Sequence, residues 1–362
     1  MRKAKRTILI AMLILAGFVP LYAARPARSK GKLKHPTALE LLDKYAATAD
    51  KFQSFILKSE TSRKINYTGI QTIVEPKAIT EVRYDGDRCF VKMLQWGKRR
   101  IKSKEFIPKE EADCVRHLWD GKLWLNYTDS ERGAEYDRIK INRTSEGYKG
   151  MSTGLDYGSF LRGFFHGGKK GRIDSILRQE NSASVRADME KIGESDCYVI
   201  EADTKHGKYT FWIDPSHGYH IAKAEIQRNE IQWYNHRMSR AAPKDVRQFY
   251  SLKDVRFKKV QDVWTPVEGH VEQSTYSPRG DALIELHHVV TDITLNPDHD
   301  TLGSFEPDFI RNGALVGVVG VKGIKYRWQD GQVVDEDGRE VDVDKLIKAE
   351  SDKVKNPKPI RK

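Results

Sequence analysis

The chain has 362 residues, 39% hydrophobic and 31% charged, with three cysteines and a formal net charge of +12. The length suits one large β domain or two ordinary ones. Lys and Arg are scattered among Asp and Glu, so the charge reads as solubility rather than nucleic-acid binding, and three cysteines are too few for a disulfide framework.

Residues 1–24 have the pattern of a secretory signal peptide. Arg2, Lys3, Lys5 and Arg6 form a positive n-region, and Thr7–Val19 an apolar stretch too short to span a bilayer comfortably. Subtracting those four charges from +12 leaves +8. The −3 position, Leu21 or Tyr22, is large for cleavage, so an uncleaved anchor is the alternative; either way the body is expected in the periplasm, with no transmembrane span in the mature chain. No Cys follows the apolar stretch, so lipidation of the N-terminus is not expected.

Residues 25–36 read as a flexible basic leader. Thr37-x-x-Glu40 is a capping box opening a helix, and Leu39, Leu42, Ala46, Ala49 and Phe52 recur as one apolar stripe. Strands follow at Ser54–Asn66 and Lys77–Tyr84, then Arg88–Trp96 beyond the Asp85-Gly86 turn. Cys114–Trp119 and Lys122–Tyr127 flank Asp120-Gly121. Ser184–Lys191 and Cys197–Thr204 pair across Gly193. Lys208–Ile213 and Ile221–Arg228 flank the turn Asp214-Pro215-Ser216-His217-Gly218, where Pro and Gly supply the required φ values. Ser251–Val260, Trp264–Tyr276 and Ala282–Leu295 close the series. Some ten sequential strands predict one antiparallel meander that must curl to bury a face.

Gly150–Glu180 breaks the pattern. Leu155, Tyr157, Phe160, Leu161, Phe164 and Phe165 alternate with glycines, too many for a regular strand. Two readings stand equal: an apolar flap over a concave surface, or rings that plug the core. Residues 311–362 read as an extension on the main domain, with a short helix over Asp342–Val354 and a basic tail.

Little suggests chemistry. His217-x-x-His220 lies across a turn with no third ligand implied, His287 and His288 point to opposite faces of a strand, and Asp298-His299-Asp300 lacks the spacing of a calcium loop. No nucleophile elbow, P-loop, dinucleotide fingerprint or zinc-protease motif is present. Catalysis, metal and cofactor are therefore not expected. Among Cys89, Cys114 and Cys197 the pairing is open, with Cys89 and Cys114 weakly preferred because they fall on neighbouring predicted strands.

The order of several segments resembles the outer-membrane lipoprotein-sorting family, the LolA/LolB-like periplasmic carriers. The segments are the helix Thr37–Phe52 leading into Ser54-Phe55; Leu118-Trp119-Asp120-Gly121-Lys122-Leu123-Trp124-Leu125-Asn126-Tyr127; the Phe160-Leu161 region; Tyr209–Ile226; and Asp262-Val263-Trp264-Thr265-Pro266. They cover residues 37–310. The resemblance implies an α+β, mainly antiparallel fold: a strongly curved incomplete β-barrel with an N-terminal helix and a helical or loop lid over an apolar cavity. It also implies lipid or lipoprotein acyl chains as cargo, and a lid-locking arginine on an early strand that matches Arg88 or Arg83. The chain departs from the family in the basic insertion Trp96–Asp113 and in its C-terminal extension.

Candidate wall and lid residues are Leu39, Leu42, Phe52, Phe55, Trp119, Trp124, Leu155, Phe160, Leu161, Phe164, Phe165, Phe211 and Trp264, for each of which plain core packing competes. Two functions follow: a non-enzymatic carrier or sensor of an acyl-chain ligand, or an envelope scaffold with a self-filled barrel that meets a protein partner.

Overall fold

The computed structural model describes residues 35–68, 72–97, 106–129, 133–142, 158–165, 171–229, 244–278, 280–321 and 326–348. Residues 1–34, expected as a signal peptide and leader, residues 98–105 of the basic insertion, Leu155, Tyr157 and the basic tail lie outside them. Pro36–Lys362 clusters as one unit.

The helix α1 (Ala38–Ala49) begins where the capping box requires: Thr37 Oγ1 accepts from the Glu40 amide, and the Glu40 carboxylate accepts from the Thr37 amide. Its buried stripe is Ala38, Leu41, Leu42 and Tyr45. Leu39, expected on that stripe, is 53% exposed. The spacing 38, 41, 42, 45 keeps one face inward over two turns, and Leu39 stands about 100° from Ala38 on the helix.

The strands are β1 (Ser54–Tyr67), β2 (Thr72–Val74), β3 (Lys77–Asp85), β4 (Arg88–Trp96), β5 (Asp113–Trp119), β6 (Trp124–Thr128), β7 (Arg138–Asn142), β8 (Ala183–Val185) and β9 (Glu190–Ile192). Then come β10 (Ser195–Thr204), β11 (Gly207–Asp214), β12 (His220–Arg228), β13 (Arg247–Val260), β14 (Val263–Tyr276), β15 (Ala282–Leu295), β16 (Leu315–Val318), β17 (Tyr326–Gln329) and β18 (Gln332–Val334). A second helix, α2 (Ile173–Glu180), was not foreseen in the glycine-rich region. The single strand expected over Ser184–Lys191 is two short ones, β8 and β9, both paired with β10.

β10 to β15 form a meander, and β3 to β7 form another. β1 joins them, antiparallel to β15 on one side and to β3 on the other. The tight β13–β14 connection is Gln261-Asp262, both at positive φ, which matches the twist of the flanking strands. Beyond β7 the sheet continues through β16, its parallel neighbour, to β17 and β18. No ladder among the described residues joins β18 to β8 or β9, so the mainly antiparallel sheet is open, as an incomplete barrel requires.

Strand alternation places two cores on opposite faces of this sheet. On one face, Ile200, Phe211, Ala224, Leu252, Val271 and Leu286 meet α1, α2 and the segment Gly158–Phe165; Phe55, Leu57, Val82 and Val91 continue that face. On the other, Phe90, Leu118, Leu125, Tyr127, Ile139 and Ile141 pack against Phe305, Ile310, β16, β17 and β18. The C-terminal extension is thus part of the sheet and owns a core of its own.

Cys89, Cys114 and Cys197 are free thiols. The weakly preferred Cys89–Cys114 bridge is not formed. Cys114 stands opposite Leu94, five residues along β4 from Cys89, or roughly 17 Å at the rise of a strand, far beyond disulfide reach.

Candidate functional site: a crevice beneath an aromatic plug

Gly158–Phe165 forms one short turn of helix laid on the sheet face that carries α1. Phe160, Leu161 and Phe165 are buried in that core. Phe160 meets the edge of the His288 ring at 5.8 Å, and Phe165 meets Phe211 at 5.5 Å and Tyr250 at 5.7 Å. Of the two readings of this region, rings filling the core describe what these residues do.

Two glycines make the seat. A Cβ on Gly158, which holds φ +63°, would collide with the His288 ring, Nε2 nearest. A Cβ on Gly269, opposite His288 in the β14–β15 ladder, would stand 2.9 Å from Leu161 Cδ2. Only residues without side chains let the plug reach the sheet this closely.

Beside the plug lies a crevice walled by Phe52, Phe55, Leu57, Leu161, Pro266, Val290 and Ile293, with Thr265, His288 and Arg162 as its polar members. About 10 Å³ of it is open to the centre of a water-sized sphere, roughly what one water needs. Arg162 is the one charged residue among the described residues of its wall; its guanidinium lies over the Phe55 ring at 4.9 Å and near Phe164 at 5.9 Å.

Several polar groups are buried on this face of the sheet. His288 Nδ1 and Thr61 Oγ1 are 2.9 Å apart. His288 Nε2, Ser59 Oγ and Thr80 Oγ1 are buried and find no hydrogen-bond partner among the described residues. Burial, helped by the charge of Arg162 and by His287, pushes the His288 pKa down to about 3. The Cys89 thiol, on the same face, is pushed up to about 12 by burial, against the pull of Arg162.

The expected site residues divide into groups. Phe52 and Phe55 line the crevice, and Leu161 of the plug forms its roof. Leu42, Phe160, Phe165 and Phe211 are in the adjoining core. Trp119 and Trp124 are on the same face, farther along, with Trp124 stacked on His117 at 5.3 Å. Phe164 is half-buried beside Arg162. Trp264 sits apart, edge-on to His217 at 4.6 Å, while its neighbours Thr265 and Pro266 reach the crevice. Leu39 faces away from the sheet, and Leu155 is outside the described residues.

The two lid-locking candidates are on the opposite face. Arg83 pairs with Glu81 and covers Phe90. Arg88 pairs with Asp85 and Asp300 and covers Phe305 of the C-terminal segment. The arginines that reach the plug side are Arg162, over the Phe55 ring, and Arg228, which donates to the Phe165 carbonyl. The sequence signal for Arg162 is a cation set between Leu161 and Phe164 in an otherwise apolar stretch.

His217 and His220 each have a hydrogen-bond partner within the fold. The Asp214 carboxylate holds His217 Nδ1 at 2.6 Å, and His220 Nε2 lies 2.7 Å from the Trp264 carbonyl. Among the described residues no group of three or more His, Cys, Asp or Glu converges as a cation site, and no helix is long and apolar enough to cross a membrane.

No family model matches this chain, and no curated protein matches it in sequence. Solved structures do. An outer membrane lipoprotein-sorting protein domain from Vibrio parahaemolyticus is similar over 74% of this chain and 96% of its own, at 14% identity and TM-score 0.36. A DUF1329 family protein from Desulfovibrio piger is similar over 75% and 98%, at 12% identity and TM-score 0.36. A LolA superfamily protein from Nitrosomonas europaea is similar over 76% and 100%, at 13% identity and TM-score 0.35. Two of these three structures, those from Vibrio and Nitrosomonas, bear the family name that the order of segments suggested.

Proposed function

We propose that this protein is a non-enzymatic exported carrier or sensor of an acyl-chain ligand, in which the plug Gly158–Phe165 holds the ligand's place until cargo displaces it. The observation that supports it most is the mismatch between the plug and its seat. A permanent core rarely leaves buried polar atoms unsatisfied, yet Ser59, Thr80 and His288 each present one on the face the plug covers. A segment that belongs to no strand sets Gly158 and the Phe160 ring against the last of these. Displacing it would open a wall of Phe52, Phe55, Leu57, Val290 and Ile293, where a buried acyl chain gains ~0.8 kcal/mol per methylene.

The second reading, a scaffold whose sheet is filled by its own side chains, is favoured by the small volume left in the crevice. Native mass spectrometry of protein purified gently from its own envelope, followed by titration with a fluorescent acyl chain, separates the two. A carrier is expected to retain lipid, and Phe160→Ala, which leaves a cavity at a cost of roughly 3–5 kcal/mol, is expected to bind the probe more tightly while circular dichroism confirms folding. A lipid-free protein that ignores the probe in both forms supports the scaffold and ends the carrier reading.

A further inference from the structure

The sheet face that carries the crevice changes character along its strands. Down β1 the buried positions are Phe55, Leu57, Ser59 and Thr61, one at every second residue. Their neighbours change in step. Leu57 stands opposite Val82 and Ile293, Ser59 opposite Thr80 and Val290, and Thr61 opposite Ala78 and His288. The face is thus hydrocarbon at the Phe55 end and carries hydroxyls and an imidazole from Ser59 onward, roughly 7 Å along the strand from Leu57. Ser59, Thr80 and His288 have no exposed surface. Thr61 Oγ1 and His288 Nδ1 satisfy each other at 2.9 Å, whereas Ser59 Oγ, Thr80 Oγ1 and His288 Nε2 find no partner among the described residues. Folded interiors avoid such a concentration, because each of these atoms has given up its hydrogen bonds to water for nothing in return.

We infer that the row Ser59, Thr80 and His288 receives the uncharged oxygens of an acyl chain in ester or amide linkage, with its hydrocarbon running toward Phe55, Leu57 and Ile293. This rests on the carrier reading and narrows it, giving the chain a direction in the crevice and its linkage a place. The row itself is uncharged: hydroxyls do not ionise, and burial keeps the imidazole neutral. Ser and Thr hydroxyls donate to a carbonyl oxygen, and rotation of the Thr61 hydroxyl sets whether Nε2 donates or accepts. An ionised head loses far more hydration on entering so buried a place than a neutral carbonyl does. Gly158 stands against Nε2 in the closed molecule, so the displacement that admits the chain also frees this nitrogen for the linkage. The row therefore destabilises the empty protein and stabilises the loaded one, a pair of opposite effects that hydroxyls serving the fold alone do not produce.

The test uses the full, delipidated protein at pH 8. Methyl dodecanoate, 1-chlorododecane and dodecanoate are offered in competing pairs from cyclodextrin complexes, and native mass spectrometry reads which is retained. Dodecanoate is included because Arg162 stands on the crevice wall. The ester is expected to be retained roughly tenfold over the chloroalkane, which has the chain but no good acceptor, and over dodecanoate. Thr80→Val, which keeps the branched shape and removes one hydroxyl, and Ser59→Ala should each lower the ester-to-chloroalkane ratio while raising the urea midpoint of the empty protein. An unchanged ratio in both variants, or a lowered midpoint in both, assigns the row to the fold alone and overturns the inference. Ester and chloroalkane retained alike by the natural chain overturns it too and leaves the carrier intact. Preference for dodecanoate makes the head ionic and overturns the neutral assignment. Retention of none of the three, in the natural chain and in Phe160→Ala, removes the carrier reading and this inference with it. The ratio measured on the natural chain decides the matter even where a variant folds poorly.

Discussion

Gly158 presses on His288 so closely that no side chain fits between them: a Cβ at residue 158 would overlap the imidazole, and the backbone there is left-handed at φ +63°. The closed position of the plug therefore depends on a missing atom. Gly171, at φ +82°, has the same backbone hand but open space where a Cβ would point.

The pair makes a controlled comparison. Gly171→Ala is expected to cost only the left-handed strain, about 1 kcal/mol. Gly158→Ala adds the collision and is expected to exceed ~2 kcal/mol. Its plug should lift, so that trypsin cleaves at Arg162 faster than in the natural chain. Equal stability and equal cleavage in the two variants would refute the described seat.

Acid should loosen the same region. Burial holds His288 near pKa 3, and His117 and His220 near 4, whereas an exposed imidazole titrates near 6.5. The unfolded or opened state thus binds more protons below about pH 6.5. Stability is complete above that pH and falls with acidity, by about 1.4 kcal/mol per pH unit for each fully coupled histidine. Groups around His288 do not reverse the sign, since Arg162 and His287 both disfavour its protonation. Urea midpoints between pH 7 and pH 5 should drop in the natural chain and drop less in His288→Gln. A flat profile, or identical slopes, contradicts the burial of this ring.

The C-terminal extension hangs on one carboxylate. Asp137, fully buried, accepts from the Tyr127 hydroxyl at 2.5 Å and from Arg311 at 2.8 and 2.5 Å. Hydrogen bonding to Asp137 and Tyr127 pushes the Arg311 pKa up. Asp137→Ala is expected to cost roughly 3 kcal/mol by stripping partners from a buried tyrosine. Hydrogen exchange should quicken first in β16 to β18, with β10 to β15 unaffected at low denaturant. Uniform loss of protection across both cores would show that the extension does not open separately.

Local chemistry, which acts within a few residues, was readable in advance. Thr37 and Glu40 dictate where α1 starts, Asp85-Gly86 and Pro215 to Gly218 dictate turns, and alternating β-branched and aromatic runs dictate most strands of the two meanders. The order of those elements was enough to suggest the lipoprotein-sorting likeness. The expected phase of α1 differs by one residue, since Leu39 and Ala38 lie three and four residues before Leu42 and only the sheet selects between them.

What only the tertiary structure decided are the relations between distant residues. β1 pairs with β15 some 230 positions away, which puts Thr61 beside His288. Strand alternation then sends Arg83 and Arg88 to one face, while Arg162 and Arg228 meet the plug on the other. Register and pleat determine which face a side chain joins, and register is settled by the packing of the whole sheet rather than by any single stretch. For the same reason the glycine-rich segment could not be assigned as flap or filling from its own residues: its place depends on Gly269 and His288, more than a hundred positions downstream.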